Sequence, residues 1–195
     1  MRVQLKAILM PGPSKKDIAS ARDKTVPDVL AEDLNVLFCG INPGLYSAAV
    51  GYHFGRPGNR FWKVIHLAGF TPSQLQPSHQ AELLRFCLGI TNLVPRATAT
   101  ADQLAPAELR QGAAELERKV EAFKPKFVAF LGLGAYRSAF GRKDAQVGLQ
   151  THPIGDSKVW LLPNPSGLNA YYQINDLVGL YRNLMEAASH LDCRQ

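Results

Sequence analysis

Four short runs of consecutive apolar residues punctuate the chain, and segments of helical period lie between them. Asn35-Val36-Leu37-Phe38-Cys39-Gly40 comes first and is closed by Gly and Pro. Leu88-Gly89-Ile90-Thr91-Asn92-Leu93-Val94 is the least apolar, Phe127-Val128-Ala129-Phe130-Leu131 is apolar throughout, and Val159-Trp160-Leu161-Leu162 stops at Pro163. Such runs, without polar alternation, predict strands buried on both faces. Among the intervening segments, Phe61, Trp62, Ile65 and Ala68 share one helix face that Gly69 ends. Leu109, Ala113, Leu116, Val120 and Phe123 recur at spacings of four and three, predicting a helix over 106–123 that ends before Pro125. Leu177, Tyr181, Leu184, Ala188 and Leu191 mark a C-terminal helix from Tyr172 to Leu191. Strands alternating with helices imply right-handed crossovers. The predicted fold class is therefore α/β, a three-layer α/β/α arrangement around a mainly parallel central sheet of about four strands. Residues 1–33, rich in Lys, Asp, Pro and Ser without a sustained period, read as a flexible basic extension, which leaves 34–195 as one domain.

Composition narrows the function classes. The chain has 195 residues, 46% hydrophobic, and a formal charge of +6. At this length folding buries roughly 70% of the unfolded surface, so a core forms without metals or disulfides. Cys39, Cys87 and Cys193 are widely separated, with no Cys-x-x-Cys and no Cys/His pair at zinc spacing. Neither a structural metal nor a disulfide framework is expected. No apolar run approaches the roughly 20 residues of a membrane span, and the N-terminal segment lacks a signal-peptide core. The expected setting is a bacterial cytoplasm, with no membrane partner. The positive charge favours a polyanionic partner without naming one.

In a parallel sheet the ligand sits beyond the carboxyl ends of the strands, so the chemistry should lie just after each run. Gly40-Ile41-Asn42-Pro43-Gly44 follows the first and Pro163-Asn164-Pro165-Ser166-Gly167-Leu168 the last. Each places an Asn-Pro pair and a Gly at a strand exit, which reads equally as an ordinary turn or as a wall of a shared site. An Asn at residue 42 orients water or a polar substrate edge but moves no proton near neutral pH. The loop Gly51-Tyr52-His53-Phe54-Gly55-Arg56-Pro57-Gly58-Asn59-Arg60 carries Phe54, suited to stacking on a planar ligand or to anchoring the loop. Gly132-Leu133-Gly134 lacks the third Gly of a dinucleotide fingerprint, and no phosphate-cradling loop occurs.

The first strand with Gly40-Ile41-Asn42-Pro43-Gly44, the helix start Asn59-Arg60-Phe61-Trp62-Lys63, and Asn164-Pro165-Ser166-Gly167-Leu168 together resemble the mismatch-specific uracil-DNA glycosylases, which group with the thymine-DNA glycosylases. The likeness runs from Asn35 to the C-terminal helix. It implies a uracil-DNA glycosylase-like fold, no cofactor and no metal, DNA as partner, and a monomer that hydrolyses the glycosidic bond of an extruded uracil. By that resemblance Asn42 matches the residue holding the attacking water, Phe54 the aromatic stacked on the base, and Gly167 with Leu168 the wedge that enters the duplex. Ile41, Gly44 and Asn164 would line the base pocket, and Ser47, Arg56, Arg60 and Ser166 would face DNA phosphates. Extruding a base costs a few kcal/mol, which an inserted apolar side chain offsets.

Two features depart from the family pattern. An amide at residue 42 forgoes the roughly 100-fold to 10,000-fold that a general base provides. Asp102 is the only acid in the segment leaving the second strand, and it is expected either to approach the water or to cap the next helix or face solvent. Ala170 replaces an Arg that some relatives place beyond the wedge, which weakens selectivity for uracil opposite guanine. The expected activity is that of a monofunctional glycosylase in base excision repair. The alternatives are a mismatch- or lesion-binding module of the same fold with little turnover, and a small-nucleotide binder.

Overall fold

Residues 12–189 are described by the structure, a computed structural model of the chain. The expected strands form β1 (Val36–Gly40), β2 (Leu88–Asn92), β3 (Phe127–Leu131) and, after a two-residue edge strand β4 (Gly148–Leu149), β5 (Lys158–Leu162). The sheet order is β2-β1-β3-β5-β4, parallel except for β4. Every residue of β1, β2 and β3 is buried, as apolar strands covered on both faces require. β4 had no legible signal because two half-exposed residues carry no period.

The periodic segments fold as α3 (Phe61–Leu67), α4 (Pro106–Phe123) and α6 (Ile174–Ser189), preceded by two short helices, α1 (Lys15–Ala19) and α2 (Leu45–Val50). A 310 helix (Pro77–Phe86) and α5 (Leu133–Phe140) complete the main helices. The expected C-terminal turns beyond Ser189 lie outside the described residues. On one face of the sheet, α3 and α6 bring Phe61, Ile65, Leu177 and Tyr181 onto Phe38 and Ile90. On the other, α4 and α5 set Leu116, Val120 and Tyr136 against Leu37 and Val128. Each such side chain contributes about 1.5–3 kcal/mol by leaving water, and the two faces together make the three-layer core.

One expectation needs correction. Residues 12–33 are not a loose extension: Ala21, Val26 and Val29 are buried, and Val29 forms an antiparallel bridge with Ile90. Asp28 accepts from Thr91 Oγ1 at 2.8 Å and pairs with Lys119 at 2.6 Å. Apolar residues spaced irregularly in a polar stretch show no period, yet each still finds a place in the core. Cys39 is free and buried, and its burial pushes its thiol pKa up. Cys193 and the first 11 residues lie outside the described residues. Among the described residues no helix is long and apolar enough to cross a membrane.

The strand order positions the site. From β1 the chain places β2 on one side and β3 on the other. Crossovers diverging from neighbouring strands open a crevice at the carboxyl ends of β1 and β3.

Candidate active site

That crevice holds a cavity of about 350 Å³. The β1 exit from Gly40 to Gly44 forms one wall and Asn164, Ser166 and Leu168 from the β5 exit form another, with Asn92 and Leu131 at the ends of β2 and β3. Loop residues His53, Phe54, Arg56 and Asn59 and the segment Thr98–Ala101 close the rest. Among the described residues, the lining contains no Asp, Glu or Lys. Among the described residues no group of three His, Cys, Asp or Glu is placed to hold a metal ion.

Asn42 is held from outside its own loop. Its Nδ2 donates to the Arg96 carbonyl at 3.0 Å and to Thr98 Oγ1 at 2.7 Å. The Arg96 carbonyl only accepts, and the Thr98 hydroxyl donates its own proton to the Thr100 carbonyl at 2.8 Å. Both partners therefore demand the NH2 end of the amide, which leaves Oδ1 as an uncommitted acceptor on the cavity wall. The segment bearing those partners is itself tied down, because Arg96 grips Glu108 through two hydrogen bonds of 2.5 and 2.9 Å. The Arg96 guanidinium holds the Glu108 carboxyl down at about 2, helped by the Ala105 N–H.

Opposite Asn42, the aromatic loop is built under strain. Phe54 has φ of +51°, a left-handed conformation that costs a bulky residue about 1–3 kcal/mol. Packing around it sustains the strain. The Phe54 ring stacks on Phe61 with centroids 4.1 Å apart. The preceding residue is pinned by its N–H to Gln80 Oε1 and by its carbonyl to Trp62 Nε1. Gly40 is required beside this ring, since a Cβ there would stand 2.5 Å from Asn92 Oδ1. Sequence reading singled out Phe54 and Asn42 but missed Asn92, although a polar residue closing an apolar run at the binding end was a usable signal. His53 lies buried behind Asn92.

The β5 exit is a clamped loop. Four of the five N–H donors of Arg60 go to the carbonyls of Pro165, Tyr172, Ser166 and Asn169, at 2.5 to 3.2 Å. Arg60 is thus a loop clamp, and its expected phosphate contact is left with one N–H at most. Asn164 Oδ1 accepts from the Ser166 N–H at 2.9 Å, and Tyr181 Oη donates to the Pro163 carbonyl at 3.3 Å from below. The loop runs so close to its neighbour that a Cβ on Gly167 would lie 2.7 Å from the Gly58 carbonyl. At its tip Leu168 is 69% exposed, far from the behaviour of a core leucine.

The remaining expected residues separate clearly. Ile41 and Gly44 line the cavity, and Arg56 stands exposed at its mouth. Ser47 is buried and its Oγ accepts from the Gly55 N–H at 3.0 Å, which suits holding the aromatic loop better than meeting a phosphate. Ser166 lines the cavity, and its Oγ accepts from the Leu168 N–H at 3.3 Å. Asp102 is exposed on a short 310 turn, Ala101–Gln103, one residue beyond the lining, so of the expected placements it takes the solvent-facing one and neither enters the cavity nor caps α4.

Two comparisons bear on this arrangement. A solution NMR structure of a Methanosarcina acetivorans protein, provisionally assigned as a uracil DNA glycosylase, shares the fold with a TM-score of 0.56. The likeness covers 84% of this chain and 98% of that one at 20% identity. A family model described as the uracil DNA glycosylase superfamily matches residues 27–184, which takes in both strand exits, the aromatic loop and the packed segment before β1 from Pro27 onward. The chain belongs to the uracil DNA glycosylase superfamily.

Proposed function

We propose that this protein is a monofunctional glycosylase of the mismatch-specific type, which extrudes uracil from duplex DNA and hydrolyses its glycosidic bond. The observation that carries the reading is the amide of Asn42, held so that its oxygen lies at the cavity with no hydrogen-bond partner among the described residues. Phe54 offers its ring face to the flat base, Asn92 meets the base edge, and Leu168 fills the vacated place in the stack. The C1′–N1 bond breaks with its electron pair leaving on the uracil ring, and water oriented by Asn42 Oδ1 then bonds to the cationic C1′. The surplus proton passes to solvent, because an amide does not take it. Asp102 adds a carboxylate beside the rim that favours the sugar cation from outside the pocket. No step needs a cofactor or a second subunit.

A single-turnover assay on duplexes carrying uracil opposite guanine or adenine, developed with alkali, tests the reading. Wild type should leave abasic sites opposite both bases, since Ala170 provides no guanidinium to read the opposite strand. Asp102→Ala should lose less rate than Asn42→Ala. The reverse rank would transfer the water to Asp102. Tight binding without product would favour the lesion-binding alternative, which the carboxylate-free lining keeps in play.

A further inference from the structure

Behind the base pocket lies a polar chain of which the mechanism above uses only the Asn92 end. His53 is buried, and its Nε2 stands 2.9 Å from the Pro27 carbonyl while its Nδ1 stands 3.2 Å from Asn92 Nδ2. A carbonyl only accepts, so Nε2 carries the ring proton. Nδ1 of the neutral ring is then a bare acceptor and demands the NH2 end of Asn92. That sets Asn92 Oδ1 at the other end, over Gly40 on the pocket floor. Turning the ring to accommodate an inverted amide would take the Nε2 proton from the Pro27 carbonyl and leave that carbonyl without its donor.

We infer that His53 is the specificity-positioning residue of the pocket, its fixed tautomer orienting the Asn92 amide to accept from N3–H and donate to O4 of uracil. This rests on the glycosylase reading above. Cytosine presents the opposite pattern, an acceptor at N3 and a donor at N4. To read it, Asn92 would have to turn its oxygen toward the lone pair of His53 Nδ1, two acceptors face to face. A site built around one hydrogen-bond pattern rejects the reversed one through the groups left unpaired. The device also gives the segment before β1 a role in base choice, since Pro27 supplies the carbonyl that sets the tautomer. Burial lowers the pKa of His53, against the Pro27 hydrogen bond and the Asp28 carboxylate that favour its charged form, so the ring stays neutral near pH 7.

Two variants separate the two nitrogens. His53→Asn keeps an acceptor near the Nδ1 position and gives up the Pro27 bond, whereas His53→Gln reaches Pro27 but offers Asn92 nothing at Nδ1. The substrates are duplexes with 5-fluorouracil or 5-fluorocytosine opposite guanine, bases activated by the same substituent but with opposite edges. The expected result is that His53→Gln lowers the ratio of the two single-turnover rates by about tenfold or more, and that His53→Asn, whose amide can turn either end to Asn92 once the Pro27 bond is gone, lowers it less. Ratios in both variants equal to wild type would overturn the inference, as would a larger fall in His53→Asn than in His53→Gln. Nitrogen-15 NMR of the histidine ring in the free protein should show Nε2 protonated and Nδ1 bare at neutral pH, and the opposite tautomer would also overturn it. If wild type releases neither base nor uracil, the glycosylase reading fails, while the NMR result still decides the tautomer.

Discussion

The exits of β1 and β5 carry the same Asn-Pro pair, and the fold gives the two asparagines different work. Asn42 is gripped through its NH2 end by a distant segment, Arg96 and Thr98, so that its oxygen is presented to the cavity. Asn164 instead spends its oxygen on the Ser166 N–H two residues away and shapes the loop that lifts Leu168 into solvent. An amide serves chemistry when its partners come from elsewhere and fix which end is free. It serves architecture when its partners are its own neighbours. The supports differ in kind as well: the first exit depends on the Arg96–Glu108 pair, the second on the guanidinium of Arg60.

That contrast is open to direct attack. Asn42→Ala removes the oriented acceptor together with its two bonds to the 96–98 segment, which the Arg96–Glu108 pair still holds, and the single-turnover rate should fall by about 100-fold or more with duplex affinity little changed. Asn164→Ala should do less to the chemical step and more to duplex affinity, read by titrating binding and rate separately. Equal effects on both quantities would erase the distinction between the exits.

A smaller loss, about tenfold in rate at low substrate, is expected from Arg60→Ala, which frees four carbonyls and loosens the wedge loop. Faster proteolytic nicking within 165–172 should accompany it, and an unaltered nicking rate would show that the loop holds its shape alone. Smallest of all is the effect of acid on the support of the first exit. The Glu108 carboxyl titrates lower in the folded chain than in the unfolded one, so its contribution to stability is complete above about 4.5 and disappears as pH falls toward about 2. Urea midpoints measured across that window should decline less steeply in Glu108→Gln than in wild type.

Much of the architecture was legible because uninterrupted apolar runs have few alternatives to buried parallel strands, and the periods of α3, α4 and α6 were long enough to read. α2, α5 and the packed segment before β1 were not, since short helices between glycines and scattered valines carry no repeating signal. Among the site residues, Asn42, Phe54 and Leu168 stood out by type and by position after a strand. Thr98 did not, because nothing in Ala97-Thr98-Ala99 distinguishes a hydroxyl that grips an amide 56 positions away from one that faces water.

The chain alone therefore determined an α/β sheet, two Asn-Pro exits at its carboxyl end and a family likeness carried by three motifs. The tertiary structure decided which atom of each residue is free to act. Asparagine and histidine carry donors and acceptors within one side chain, and local sequence does not say which end is used. Only partners brought in from distant segments, the carbonyls of Arg96 and Pro27 among them, break that symmetry and turn a list of polar residues into an oriented pocket.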